Sequence, residues 1–447
     1  MITLRNPKEQ ITGRMFYTAF TKDGADPNKR PVTFFYNGGP GSSTIWLRIG
    51  SFAPMRVQTS NDKSIPSAPF HLIENNYSLL DKSDLVFIDA PNTGWSRVLG
   101  AGDPKDFMGV DQDGRAFTQF IQHYISQFSR WNSPKFLFGE SYGTTRDCVL
   151  VNMLQDAGVQ LNGVVFLSAI LNFGLTGLGG SNPIGGGDWA YVLYLPSEAA
   201  TAWYHHMVPN RPASLAAFLN GVEQFAGTQY LHGLAQGDRL GPAQRDEIVR
   251  KLHAYLGISE TYIRNSNLRI SYPRFQKELL RGSNQIVGRL DSRFQTYGLD
   301  AAADSPEWDP ADVSVTGAFV GAFERYLHDQ LRYSSNLQYR PIAYTQLGAR
   351  WDMHHNGDDP PANVAPDLAQ AMTKNPHLKV LLAGGYYDFA TPFFAAQYTL
   401  QHLNVAPAIS RNISYAFFQS GHMVYLNTPS LAQFKSYLAR WYDSAVH

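Results

Sequence analysis

Short apolar runs alternate with helix-patterned segments from residue 31 to about 175, stop, and resume near residue 378. No other feature constrains the fold as much. A short apolar run without polar alternation reads as a strand covered on both faces, and such strands belong to parallel sheets joined by helices. Val32–Tyr36, Leu85–Ile88, Phe136–Phe138 and Gly163–Ala169 are runs of this kind. Residues 115–128 place Phe117, Phe120, Ile121, Tyr124, Ile125 and Phe128 at helical spacing, and a second helix is expected over 142–155. Strand, helix, strand in this rhythm predicts an α/β fold with a mainly parallel central sheet.

The rhythm breaks at the glycine-rich stretch 174–188, and residues 189–345 are rich in helix formers with few strand-like runs. Leu378–Ala383 and Ser414–Phe418 restore the strand pattern, and Ser430–Tyr442 closes as an amphipathic helix. The expected organisation is one core in two parts, 1–175 and 346–447, with a helical cap insertion over 176–345. The 447 residues suffice for a substantial core. Lys and Arg total 37 against 37 Asp and Glu, which leaves no electrostatic footprint for nucleic acid. The longest apolar runs are far too short for a membrane span. Cys148 is the single cysteine, so no intrachain disulfide can form. No charged and apolar leader opens the sequence, so Met1 is either a true start or the first residue after a removed signal.

The chemistry centres on Gly139-Glu140-Ser141-Tyr142-Gly143, which lies between an expected strand and an expected helix. This is the context of a nucleophile elbow, in which a sharp turn exposes a serine hydroxyl at the carboxyl edge of a sheet. An ordinary glycine-containing turn fits the five residues equally well. A serine nucleophile needs a base, and in α/β-hydrolases serine, acid and histidine follow in that order. Asp388 follows the late apolar run Val380–Ala383, and His422 follows Tyr415–Phe418 in a loop of small residues. Asp388 is alternatively a helix cap, with Pro392 just inside the helix. Acyl transfer also requires oxyanion donors. The Tyr142 N–H is one candidate, and the loop Asn37-Gly38-Gly39-Pro40-Gly41 after an early strand is either the second or a simple tight turn.

Four segments together resemble the serine carboxypeptidase family: Asn37-Gly38-Gly39-Pro40-Gly41-Ser42-Ser43, Phe87 to Ser96, Gly139-Glu140-Ser141-Tyr142 and Gly421-His422-Met423-Val424. The resemblance covers about 31–175 and 378–445 and looks like the bacterial-type members. It implies an α/β-hydrolase fold and release of single residues from peptides with a free carboxyl terminus, without a cofactor or metal. It implies Ser141 as nucleophile, His422 as general base and acid, and Asp388 as the residue that orients His422. The oxyanion donors become the N–H groups of Gly39 and Tyr142, and the substrate carboxylate is held by Asn37, Gly38 and Glu140. Esterase or acyltransferase activity on the same triad is the alternative, and an inactive binding protein on a hydrolase scaffold is a further one. A periplasmic or secreted location accompanies the family; oligomeric state is not indicated.

Glu140 beside a substrate carboxylate repels it unless one of the two is protonated. Peptide binding is therefore expected to favour acidic pH. The family's cysteine before the paired serines is replaced by Ser42. Its second glutamate is replaced as well, since Gly50 or Ser51 stands at that place. Arg146 is expected to make a structural ion pair, with contact to an anionic substrate as the alternative.

Overall fold

The computed structural model of the chain describes residues 1–177, 187–343 and 351–446. The centre of the glycine tract and the expected boundary at 345/346 fall outside the described residues. Seven strands make the central sheet: β1 (Tyr17–Phe20), β2 (Val32–Tyr36), β3 (Asp84–Ile88), β4 (Lys135–Ser141), β5 (Gly163–Ala169), β6 (Lys379–Gly385) and β7 (Ile413–Phe418). Their order is β7-β6-β5-β4-β2-β3-β1, and every neighbouring pair is parallel except β1 with β3. The α/β architecture with a mainly parallel sheet is the one expected. The two late strands extend the sheet beyond β5, so residues more than 200 positions apart in sequence share one carboxyl edge. The half-exposed edge strand β1 and the small sheet of Ile2–Arg5, Ile11–Met15 and Arg97–Val98 were not anticipated, because neither carries an uninterrupted apolar run.

Alternate residues of the buried strands feed two cores, one on each face of the sheet. Phe34, Val86, Leu137 and Val164 meet helices Val110–Gln127 and Tyr142–Asp156 on one face. Phe35, Phe87, Phe138 and Val165 meet helices Pro310–Asp329 and Thr428–Val446 on the other. Phe35 stacks between Phe87 and Phe138, with centroids 4.7 and 4.8 Å away. Truncating such a ring to alanine costs about 3–5 kcal/mol. Helix Val110–Gln127 begins ahead of residue 115 because its first turn carries Asp111 and Asp113, which suit a helix amino terminus but contribute nothing to apolar spacing.

A third core belongs to helices Trp189–Tyr204, Leu215–Phe225, Pro242–Leu256 and Tyr272–Glu278, through residues such as Leu195, Val222, Leu252 and Phe275. It joins the sheet loops at Tyr387, Phe389 and Phe393, directly around Asp388. The helical segment thereby rests on the loop that carries the expected acid.

Candidate active site

Strand β4 ends at Ser141 and a helix begins at the next residue. Ser141 is held at φ 62° and ψ −130°, a backbone region that L-residues rarely occupy and that costs on the order of 1–3 kcal/mol. A side chain at position 139 would approach Asp147 Oδ2 to 2.3 Å and the Gly143 carbonyl to 2.4 Å, so this turn requires glycine there.

Ser141 opens into a cavity of about 290 Å³ shared with Asn37, Gly38, Gly39, Glu140 and His422. Ser141 and His422 make no direct hydrogen bond among the described residues; catalytic hydrogen bonds commonly tighten only when substrate is bound. A Cβ on Gly38 would lie 2.3 Å from the Tyr142 nitrogen, so the early loop packs its main chain directly against the start of the helix. The N–H groups of Gly39 and Tyr142 donate to no backbone acceptor among the described residues.

His422 Nδ1 donates to Asp388 Oδ2 at 2.8 Å. Asp388 accepts three further bonds, from Ala390 N at 2.7 Å, Thr391 N at 3.0 Å and Thr391 Oγ1 at 2.8 Å. The cap of helix Phe393–Gln401 is Pro392, so Asp388 fixes the turn ahead of that helix rather than capping it. Main-chain bonds hold the imidazole from both sides: His422 N donates to Leu290 O at 2.6 Å, and Ser168 Oγ donates to His422 O at 2.6 Å. Burial pulls the His422 pKa down, but the charge and hydrogen bond of Asp388, with Glu140 assisting, raise it above the ordinary histidine value. Nδ1 is thus committed to Asp388, and Nε2 is the nitrogen left for proton transfer.

Glu140 is 2% exposed. Burial pushes its carboxyl up to about 7, although the His422 charge, the Tyr425 hydroxyl and the Asn37 amide pull it back. Tyr425 OH donates to Glu140 Oε1 at 3.2 Å, while Oε2 is buried without a partner among the described residues. A neutral Glu140 also withdraws its share of the charge that raises His422, so a protonated acid and a neutral base favour each other. Asn37 is oriented by Leu47 N, which donates to its Oδ1 at 3.0 Å, leaving the amide NH₂ as its free donor.

Neither candidate for the second glutamate place acts as an acid. Ser51 Oγ bonds back to Leu47 O at 2.6 Å. A Cβ on Gly50 would meet the Tyr425 ring at 2.6 Å, so the missing side chain at 50 makes room for the tyrosine that contacts Glu140. Arg146 forms a buried ion pair with Asp113 at 2.6 Å and donates to Asn37 O at 2.9 Å, so it acts on the site through backbone. Sequence reasoning missed Thr391 and Tyr425, each three residues beyond an expected catalytic residue. It also missed Arg289, Asp309 and Asp312, which line the cavity from the long middle segment.

Residues 6–209 match the family model described as Serine carboxypeptidase. Serine carboxypeptidase-like 5 of Arabidopsis thaliana is 27% identical over 139 residues, 30% of this chain and 30% of that protein. The Pheromone-processing carboxypeptidase KEX1 of Saccharomyces cerevisiae (strain ATCC 204508 / S288c) is 30% identical over 135 residues, 28% of this chain and 17% of that protein. The aligned stretches thus span less than a third of the length of these relatives. The crystal structure of Kex1(delta)p, a prohormone-processing carboxypeptidase from Saccharomyces cerevisiae, has a TM-score of 0.57 at 15% identity, covering 98% of this chain and 87% of that chain; the fold is shared. The chain thus has an α/β-hydrolase fold, and its residues 6–209 are similar to the serine carboxypeptidase family.

Proposed function

We propose that this protein is a serine-type carboxypeptidase that releases residues from the carboxyl ends of peptides and favours acidic pH. His422 Nε2 takes the Ser141 proton as Oγ attacks the scissile carbonyl, and Asp388 stabilises the imidazolium that forms. The oxyanion is received by the N–H groups of Gly39 and Tyr142. His422 then protonates the leaving amine, and a free amino acid departs. Water, deprotonated by His422, attacks the acyl-enzyme, releases the shortened peptide and restores Ser141. Asn37, the Gly38 main chain and protonated Glu140 hold the terminal carboxylate. Residues 176–345 serve as the cap over this site, and an exported, periplasmic or secreted setting accompanies the reading. Among the described residues, no helix is long and apolar enough to cross a membrane.

The single observation that carries this proposal is Glu140: a buried carboxyl held neutral up to about 7, in the same cavity as Ser141, with one oxygen unpartnered. An exopeptidase has a use for such an acid; an esterase acting on neutral substrates has none. The test is mass spectrometry of a peptide digest at several pH values with Ser141→Ala as control. Stepwise loss from the carboxyl end, absent in the control, is expected. Peptide KM should stay low under acid conditions and climb as pH rises through about 7; esters without a free carboxylate should show no climb. Ester turnover without peptide cleavage, or a flat peptide KM, removes the reading.

A further inference from the structure

The middle segment contributes one arginine to the catalytic cavity, Arg289. Its backbone is firmly held. Arg289 N and Leu290 N donate to the two Asp309 oxygens at 3.0 and 2.9 Å. Arg289 O accepts from Phe389 N at 2.9 Å, and Leu290 O accepts from His422 N. The residue is therefore fastened to the acid loop and, through its neighbour, to the catalytic histidine. Its guanidinium, by contrast, makes no hydrogen bond and no ion pair with any described residue. Three buried arginines show the contrast: Arg130, Arg146 and Arg293 meet Asp84, Asp113 and Asp291, each at 2.6 Å.

The acids nearest Arg289 are engaged otherwise. Asp309 accepts three main-chain N–H bonds. Asp388 is satisfied by His422 and its own turn. Asp312 Oδ1 accepts from Thr316 at 2.9 Å. A guanidinium is always charged and offers a planar fork that matches a carboxylate. Arg289 is half-buried, so a substrate that fills the cavity withdraws the guanidinium from water, and a carboxylate on that substrate would supply the anion that the engaged acids do not.

We propose that Arg289 recognises a carboxylate of the bound peptide, so that the enzyme favours an acidic side chain beside the scissile bond. The proposal rests on the peptidase reading above and names its substrate class. The peptide's own carboxyl end is the second source of the same chemistry, and the two are separable.

The experiment compares kcat/KM for blocked peptides carrying Glu or Gln at the last or next-to-last position, in the wild-type protein, Arg289→Gln and Arg289→Lys. A Glu-over-Gln preference of about tenfold or more is expected at one position, falling to within about threefold of unity in Arg289→Gln and partly kept in Arg289→Lys. If the Glu/Gln ratio is near one but Arg289→Gln selectively loses free-acid peptides relative to their amides, the carboxyl end is the ligand and the recognition role stands. A preference for Lys, or a Glu preference that survives Arg289→Gln, overturns the assignment. If no peptide is cleaved, the peptidase reading fails by itself. The same ratio is then read on nitrophenyl esters with and without a carboxylate in the acyl part, where equal rates overturn the role of Arg289.

Discussion

His422 and His355 are both buried, and each places Nδ1 against an aspartate oxygen, at 2.8 Å from Asp388 and 2.6 Å from Asp111. They differ at the other nitrogen. His355 Nε2 meets Asp367 at 2.6 Å, whereas no described residue takes up His422 Nε2, and that ring borders the cavity. A ring bonded to carboxylates at both nitrogens is satisfied only as the imidazolium, with a donor at each side. It has no lone pair to offer and can only hold things together. What it holds are the first turns of helices Val110–Gln127 and Ala365–Lys374, together with the segment whose Trp351 donates to Tyr142 OH at 3.0 Å. One open nitrogen makes a base; a second carboxylate makes a clasp.

The largest effect that separates the two sites should come from His422→Ala. It should lower kcat by about 10⁴-fold or more, since removing the proposed base would disable nucleophile activation. Its fold should survive, because Asp388 keeps three other donors. Steady-state kinetics alongside a thermal melt checks both halves. A kcat within tenfold of wild type would undo the contrast.

His355→Ala should instead strike stability, by about 3 kcal/mol in chemical denaturation, because it strands two carboxylates around a vacated ion-pair position. Its pH signature follows from the same geometry. Burial pulls the His355 pKa down, but the hydrogen bonds and charges of Asp367 and Asp111 more than reverse this, leaving it raised. A group whose folded-state pKa is raised stabilises fully below its unfolded value, about 6.5 for histidine, and loses that contribution as pH climbs through the folded value. Wild-type stability should therefore decline from acid towards alkaline pH, and His355→Ala should decline less steeply. Some slope remains in the variant, as His422 and Glu140 are also raised and act in the same direction. Identical slopes in unfolding free energy against pH would show that His355 is no imidazolium clasp.

Tyr425→Phe should have the smallest effect and sharpens the catalytic side of the comparison. It removes a donor to Glu140 that pulls the carboxyl's pKa down. Glu140 should then hold its proton to higher pH, shifting the climb in peptide KM upward. A change of about fivefold in KM near neutrality corresponds to the loss of roughly 1 kcal/mol of hydrogen bonding. A profile superimposable on wild type would mean that this contact does not tune the acid.

Much of this site was legible before any coordinates. The strain at Ser141 and the need for glycine at 139 are local consequences of a strand passing directly into a helix, and local consequences leave short motifs. Asp388 and His422 follow strands of the same sheet, so sequence order sufficed to nominate them. His355 and Arg289 left no such trace. The partners of His355 come from positions 111 and 367, and no spacing rule joins them. Arg289 resembles any other arginine until the cavity and its missing counter-ion are seen.

The amino-acid order alone determined the sheet and the strand-to-helix turn at Ser141 and nominated the proposed reacting groups, because periodic burial and steric strain act between residues close along the chain. Tertiary structure decided, among the described residues, which histidine keeps an open nitrogen, which cavity acid has its pKa raised and which cavity arginine lacks a partner. Those properties depend on water exclusion and on charges brought together from distant segments, and only the completed packing sets them.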